Sequence, residues 1–268
     1  ASSSQSSSDE VTTSFFTRTF SGIATYYAQS VFPAALGMAL LFMTVLGFDG
    51  LAIGYGESVG LPENVLGFFR SFGSAAGVAG AIMYAVCERR WGVRRTGVIG
   101  MTAQEVCLLL AIISIWLPGS PWHPTAFFST LTWSSWSRAF LASFSPSIGN
   151  STATNTVTDP SAINWDTFTT SDGTSLVSIF AFLIGIATSR FGLWMADLAI
   201  THIMQLHTPE TQRNTVFGVH NAICQTFSVA KDLLVIVLPS STTFGICIMI
   251  SFGFVCAGFL AYIYYILK

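Results

Sequence analysis

Charge is what this sequence has least of. Of its 268 residues only 9% are Asp, Glu, Lys or Arg, against roughly 25% in a soluble globular domain. An ordinary water-exposed surface is thereby excluded. The few charges nearly cancel, at a formal −2, so no basic excess is available and no nucleic-acid partner is expected. Cysteine offers no disulfide framework. Cys87, Cys107, Cys224, Cys247 and Cys256 all fall in apolar stretches and read as small buried hydrophobes. The sequence also lacks a nucleophile motif, a phosphate-cradling glycine loop and carboxylates paired for acid–base work. An enzyme is not expected, nor is a permanently bound cofactor. The opening ASSSQSSSDEVTTS has no basic segment followed by an apolar run, so it does not read as a signal peptide.

What the chain has is apolar length. Hydrophobic residues make up 51%, 23 of them Phe, and the mean hydropathy is +0.62. A spanning helix takes about 20 residues. Six apolar segments can be drawn, at about 32–59, 62–87, 93–116, 176–206, 213–238 and 242–267. The expected fold class is an all-α membrane protein with six transmembrane helices. Residues 1–30 are expected to be a disordered, Ser-rich cytoplasmic linker. Residues 31–268 are expected to be a six-helix lobe, with an extracellular loop at about 117–173 that is rich in Ser and Thr.

Orientation follows from Lys and Arg in short loops. CERRWGVRR carries Arg89, Arg90, Arg94 and Arg95 between the second and third segments, which makes that side cytoplasmic. Alternation puts Arg18, Arg213 and Lys268 inside too, and only Arg138 outside. Both termini of the chain are expected in the cytoplasm. Asn150-Ser151-Thr152, in the outer loop, is an N-glycosylation sequon. Trp122, Trp133, Trp136 and Trp165 in the same loop suggest contact with the membrane surface.

Ionisable residues within the apolar segments are the candidates for function, because each costs about 2.5–3.5 kcal/mol to insert. The segment TVLGFDGLAIGYG, Thr44 to Gly56, sets Asp49 among Gly47, Gly50, Gly54 and Gly56. Glycine weakens a helix by about 1 kcal/mol relative to alanine, so the helix is expected to unwind around the aspartate. Unwound backbone at membrane depth persists only against protein or water, and such breaks mark substrate sites in transporters. Asp49 and Gly50 are therefore placed on a substrate path. The alternative is that the glycines serve close helix packing.

On the fifth segment His220, Cys224, Ser228 and Lys231 share one helical face, flanked by Asn221 and Gln225. This stripe is expected to face a cavity, with Ser228 and Lys231 on the path. His220 and Cys224 have the spacing of a metal-ligand pair; the alternative is interhelical hydrogen bonding. Asp49 lies about 26 Å of helix beyond Phe32, and Lys231 about 27 Å beyond Arg213. A Lys231–Asp49 pair is expected, with Asp232 as rival. Arg190 and Asp197 are seven apart in SRFGLWMADL, on one face, as anchors of a cytoplasmic gate or as a structural ion pair. Glu105 and Arg70 have no evident partner. His202 and His207 read as interfacial.

The stretch MTVLGFDGLAIGYG resembles the seventh transmembrane helix of ferroportins, the solute carrier family 40 iron exporters. It is followed in family order by RTGVIGMTAQ, the LPGSP turn, SRFGLWMADL and RNTVFGVHN. The resemblance runs from about Phe20 to the end. It implies the carboxyl-terminal six-helix lobe of a major facilitator fold, whose amino-terminal six-helix lobe would be a partner. It also implies a plasma-membrane location, contact with lipid, and export of Fe2+ by alternating access with proton coupling. Arg190, Asp197 and Arg213 match gate positions. Vertebrate members place a metal-binding cysteine after the GFD aspartate and a histidine on the eleventh helix. Here those positions hold Gly50 and Lys231, so a vertebrate-type metal site and control by a hepcidin-type peptide are not expected. Two other readings stay open: a facilitator for a different solute, and a non-transporting membrane interaction protein.

Overall fold

The structure is a computed structural model. It describes residues 20–47, 50–58, 61–120, 122, 134, 137–138, 141, 163–164, 168–170, 175–238 and 244–268. Residues 20–27 are helical and bury Tyr26, where the sequence led to an expectation of disorder; residues 1–19 lie outside the described residues. Two short helices follow, α1 at Phe32–Leu41 and α2 at Gly50–Ser58. Two long ones come next, α3 at Glu63–Trp91 and α4 at Val93–Ser114. Two-residue strands, β1 at Ile163–Asn164 and β2 at Thr169–Thr170, pair antiparallel with Ile163 opposite Thr170. Three long helices complete the chain: α5 at Val177–His207, α6 at Glu210–Val237 and α7 at Phe244–Leu267.

The helix ends follow the sequence. Pro62 caps α3 and Pro209 caps α6, each followed by a glutamate in the first turn, where the helix dipole favours negative charge. Arg89 and Arg90 occupy the last turn of α3, the favourable end for cations. The α3–α4 reversal rests on Gly92, whose φ of +79° suits glycine, and whose N–H donates to the Glu88 carbonyl at 2.9 Å.

The core forms where α5 packs on α4 and α3, while α7 packs on α1 and α4. Small residues set the α4–α5 spacing. A Cβ on Gly100 would lie 2.7 Å from the Ala196 nitrogen and 3.0 Å from the Gly192 carbonyl, so the two backbones are in direct contact. Larger side chains fill the layer around them, with Phe182, Leu183, Ile186, Met195 and Ile200 of α5 all essentially inaccessible. In contrast, α3 leaves Phe68, Val78, Ile82 and Val86 exposed, the last three along the groove between α3 and α5.

Among the described residues four helices, α3, α4, α5 and α7, are long and apolar enough to cross a membrane. The chain is accordingly a multi-pass membrane protein. The other two expected segments differ from the simple pattern. The first is divided into α1 and α2, and α6 is long but carries the polar stripe. Trp122 is not at a surface: it is 7% exposed and its indole lies over Gly245, at the start of α7.

Candidate functional site

The division between α1 and α2 builds the site. After Leu41 the chain tightens, with Phe42 N–H donating to the Ala39 carbonyl and Met43 N–H to the Leu40 carbonyl, both at 3.1 Å. The next amides leave the helical ladder altogether. Val45 N–H donates to Ser251 Oγ of α7 at 2.9 Å, and Leu46 N–H to Thr44 Oγ1 at 3.0 Å. Ser251 is fully buried and Val45 nearly so. Side chains thus take up the amides that unwinding frees, which is the condition for broken backbone inside a membrane.

Within the described residues the break runs from Phe42 to Gly47. Of the four glycines around Asp49, Gly47 is in it, and Gly50, Gly54 and Gly56 are helical in α2. Packing offsets their low propensity. Gly56 sits against Leu66, and Tyr55 stacks on Phe244 at 4.3 Å between centroids and meets Phe182 edge-on at 5.5 Å. Asp49 itself lies outside the described residues, and so does Asn150.

Beside the break opens a cavity of about 350 Å³. Thr44, Leu46 and Gly47 wall it on one side, and Ser228 and Lys231 of α6 on another. Ser189, Arg190 and Asp197 of α5 and Gln104 of α4 complete the polar part. The structure therefore brings Ser228, Lys231, Arg190 and Asp197 to one space. Lys231 is 8% exposed, and its Nζ lies 3.6 Å from the exposed Asp232 carboxylate. Asp197 is hydrogen-bonded by Thr201, one turn along its own helix. No Arg190–Asp197 ion pair forms among the described residues; both side chains face the cavity instead. Arg213 lies elsewhere, donating through Nη2 to the Gln205 carbonyl at 3.2 Å across the α5–α6 turn.

The α6 stripe does face inward. Cys224 and Lys231 are buried, His220 and Ser228 half-buried, Asn221 and Gln225 exposed. His220 and Cys224 touch, Nε2 to Sγ at 3.6 Å, and the other ring nitrogen meets the buried Tyr26 hydroxyl at 3.1 Å. Both imidazole nitrogens are engaged. No group of three or more His, Cys, Asp or Glu side chains is placed to hold a metal among the described residues.

Three pairings were not legible in the sequence. Ser251 is 206 residues from the amide it accepts. Glu105 does have a neighbour, the Cys256 thiol at 3.6 Å. His202 is not merely interfacial: its Nδ1 lies 3.1 Å from Glu88 Oε1 and 2.7 Å from the Tyr84 hydroxyl, tying α5 to α3. The four-residue spacing of Tyr84 and Glu88 on one face of α3 was a signal for this cluster, but their partner is distant in sequence.

Fold and site together define a helical membrane protein with a polar cavity at a broken helix. The chain belongs to the ferroportin family: the family model Ferroportin1 (FPN1) matches residues 1–255. Ferroportin of Homo sapiens is 32% identical over 250 residues, covering 91% of this chain and 43% of the human protein. Solute carrier family 40 member 2 of Arabidopsis thaliana is 25% identical over 228 residues, covering 85% of this chain and 34% of its own length. The chain thus spans less than half the length of these relatives. A bacterial homologue of iron transporter ferroportin, in an outward-facing state, superposes with a TM-score of 0.60 at 19% identity, over 90% of this chain and 46% of that one. The inward-facing state of a bacterial homologue gives 0.56 at 19% identity, over 88% and 45%. At such identities the structural likeness concerns the fold alone.

Proposed function

We propose that this chain is the carboxyl-terminal six-helix lobe of a ferroportin-type exporter that moves ferrous iron across the plasma membrane by alternating access. In this reading α1 and α2 form one broken span and α6 is a sixth. The relatives' other half would supply a facing lobe, and both termini of this chain lie in the cytoplasm. The observation that carries the proposal is the break itself, unwound beside a polar cavity and held open by side-chain hydrogen bonds. Asp49, Gly50, Ser228 and Lys231 line the substrate path, and Arg190, Asp197 and Arg213 serve the cytoplasmic gate. Asn150 carries glycan on the outer side. The protein is a transporter and not an enzyme; iron is its cargo.

Gly50 and Lys231 favour a second reading, a facilitator for a different solute. Both stand where vertebrate ferroportins place metal ligands, and a charged lysine offers no lone pair to a cation. His220 and Cys224 remain the nearest alternative donors in this lobe. With the thiol replaced by Gly50, a hepcidin-type regulator has no purchase.

Radiolabelled iron efflux from cells expressing the protein, with surface exposure measured in parallel, tests the proposal. Asp49→Ala and Asp197→Ala each lower efflux several-fold, and Lys231→His gains metal binding. Surface-exposed protein that moves neither iron nor cobalt removes the first reading and leaves the second.

A further inference from the structure

A second and larger cavity, about 1160 Å³, runs along the face between α3 and α5. Its charge is one-sided. Arg70 and Arg89 of α3 and Arg190 of α5 line it, and no acidic residue does among the described residues. None of these three guanidinium groups has a hydrogen-bond or ion-pair partner among the described residues. Arg190 and Trp194 line this cavity and the smaller one at the break. The two spaces share a wall at these residues, and among the described residues the larger one carries only positive charge.

We propose that this wall is a binding site for a small multivalent oxyanion of carboxylate or phosphate chemistry, anchored by Arg190. The guanidinium fork matches both groups bidentately. An arginine at membrane depth is costly until an anion or water satisfies it. Depth favours a soluble ligand over a lipid headgroup. Arg190 is about 20 Å along α5 from Val177 and about 26 Å from His207, near the middle of the helix. Arg70 lies about 10 Å from the start of α3 and Arg89 in its last turn, so the three arginines are strung along the groove. An anion can follow them, alone or as the counter-ligand of a metal. The site goes beyond the iron-export reading and stands or falls separately from it.

The test uses the purified chain in nanodiscs, with citrate and inorganic phosphate as probes against chloride at equal ionic strength, and reads tryptophan emission. In discs of phosphatidylcholine alone, citrate or phosphate gives a saturable change that vanishes in Trp194→Phe. Arg190→Gln weakens apparent affinity roughly tenfold or more, as loss of hydrogen bonds to a charged group implies, and Arg190→Lys recovers part of it. If Arg190→Gln does not reconstitute, Arg70→Gln, on an exposed side chain, decides in its place through a smaller weakening. No saturable change in the wild-type chain, or equal affinity in the arginine variants, overturns the proposal. A change produced by adding phosphatidylserine to the discs, with citrate and phosphate silent, assigns the groove to headgroups and overturns it too. Iron efflux measured on the same variants reports on the export reading without bearing on this one.

Discussion

Replacing Ser251 with alanine removes one oxygen from the protein and strands one buried amide. Val45 N–H donates to Ser251 Oγ at 2.9 Å; Val45 is 1% exposed and Ser251 0%, so water has no ready route to replace the hydroxyl. The volume lost is too small for a cavity penalty to matter. The cost is therefore that of an unsatisfied buried donor, about 1–3 kcal/mol, set against a total stability of only about 5–15 kcal/mol for a typical domain. Equilibrium unfolding of the detergent-solubilised protein measures it, and hydrogen exchange locates it. The expected outcome is a loss in that range together with faster exchange in the 42–47 segment and unchanged exchange in the α4–α5 core. Thr44→Ala is the internal comparison, because its acceptor serves the less buried Leu46 amide, and its effect should be smaller. A Ser251→Ala protein within about 0.5 kcal/mol of wild type, the scatter of a neutral surface change, would show that the break does not depend on this bond.

Three further outcomes follow from the packing and pairing. Gly192→Val forces a branched side chain into the backbone contact between α5 and α4, where a Cβ already meets Gly100 and Gln104; a loss of about 1–3 kcal/mol or more is expected, read as a lower melting temperature in detergent. His220→Ala leaves the buried Tyr26 hydroxyl without its 3.1 Å partner, and unfolding should show about 1–3 kcal/mol lost, with protease sensitivity rising first around residues 20–27. A double-mutant cycle on Glu88→Gln and His202→Gln should return a coupling of only about 0.2–1 kcal/mol, because the side chains are 29% and 34% exposed; zero coupling would mean the contact between α3 and α5 there is incidental.

Much of the helical frame was legible because membrane insertion writes length and apolarity directly into sequence. The segments drawn at 62–87, 93–116, 176–206 and 242–267 fall on α3, α4, α5 and α7. The inward stripe on α6 was legible for the same kind of reason, since a period of 3.6 is a local property. The break itself was only half legible. Glycine density pointed to residues 47–56, but propensity is a weak prior that packing overrides. Tyr55 between Phe182 and Phe244, and Gly56 against Leu66, hold Gly50–Ser58 helical. The acceptor that stabilises the unwound turn comes from Ser251, in a helix that reads as uniformly apolar, and nothing local singles that serine out. Arg190 and Asp197 were rightly grouped on one face. Their sharing of a cavity, in place of an ion pair, depends on where α1 ends and was not in the pattern.

The buried lysine and the broken helix meet at one cavity. A helix end leaves its last carbonyls without amide partners, and at membrane depth such acceptors need donors from protein or water. Phe42 and Met43 N–H supply two, to Ala39 and Leu40. A lysine ammonium brings three donors and no acceptor, and it too is costly in hydrocarbon unless something receives its protons. Lys231 lies 3.6 Å from the Asp232 carboxylate and lines the same cavity as the residues of the break. His220 and Cys224, on the same face of α6, are engaged with Tyr26 and with each other. The polar space that unwinding opens beside residues 42–47 is therefore shared with Ser228 and Lys231, at the far end of the stripe.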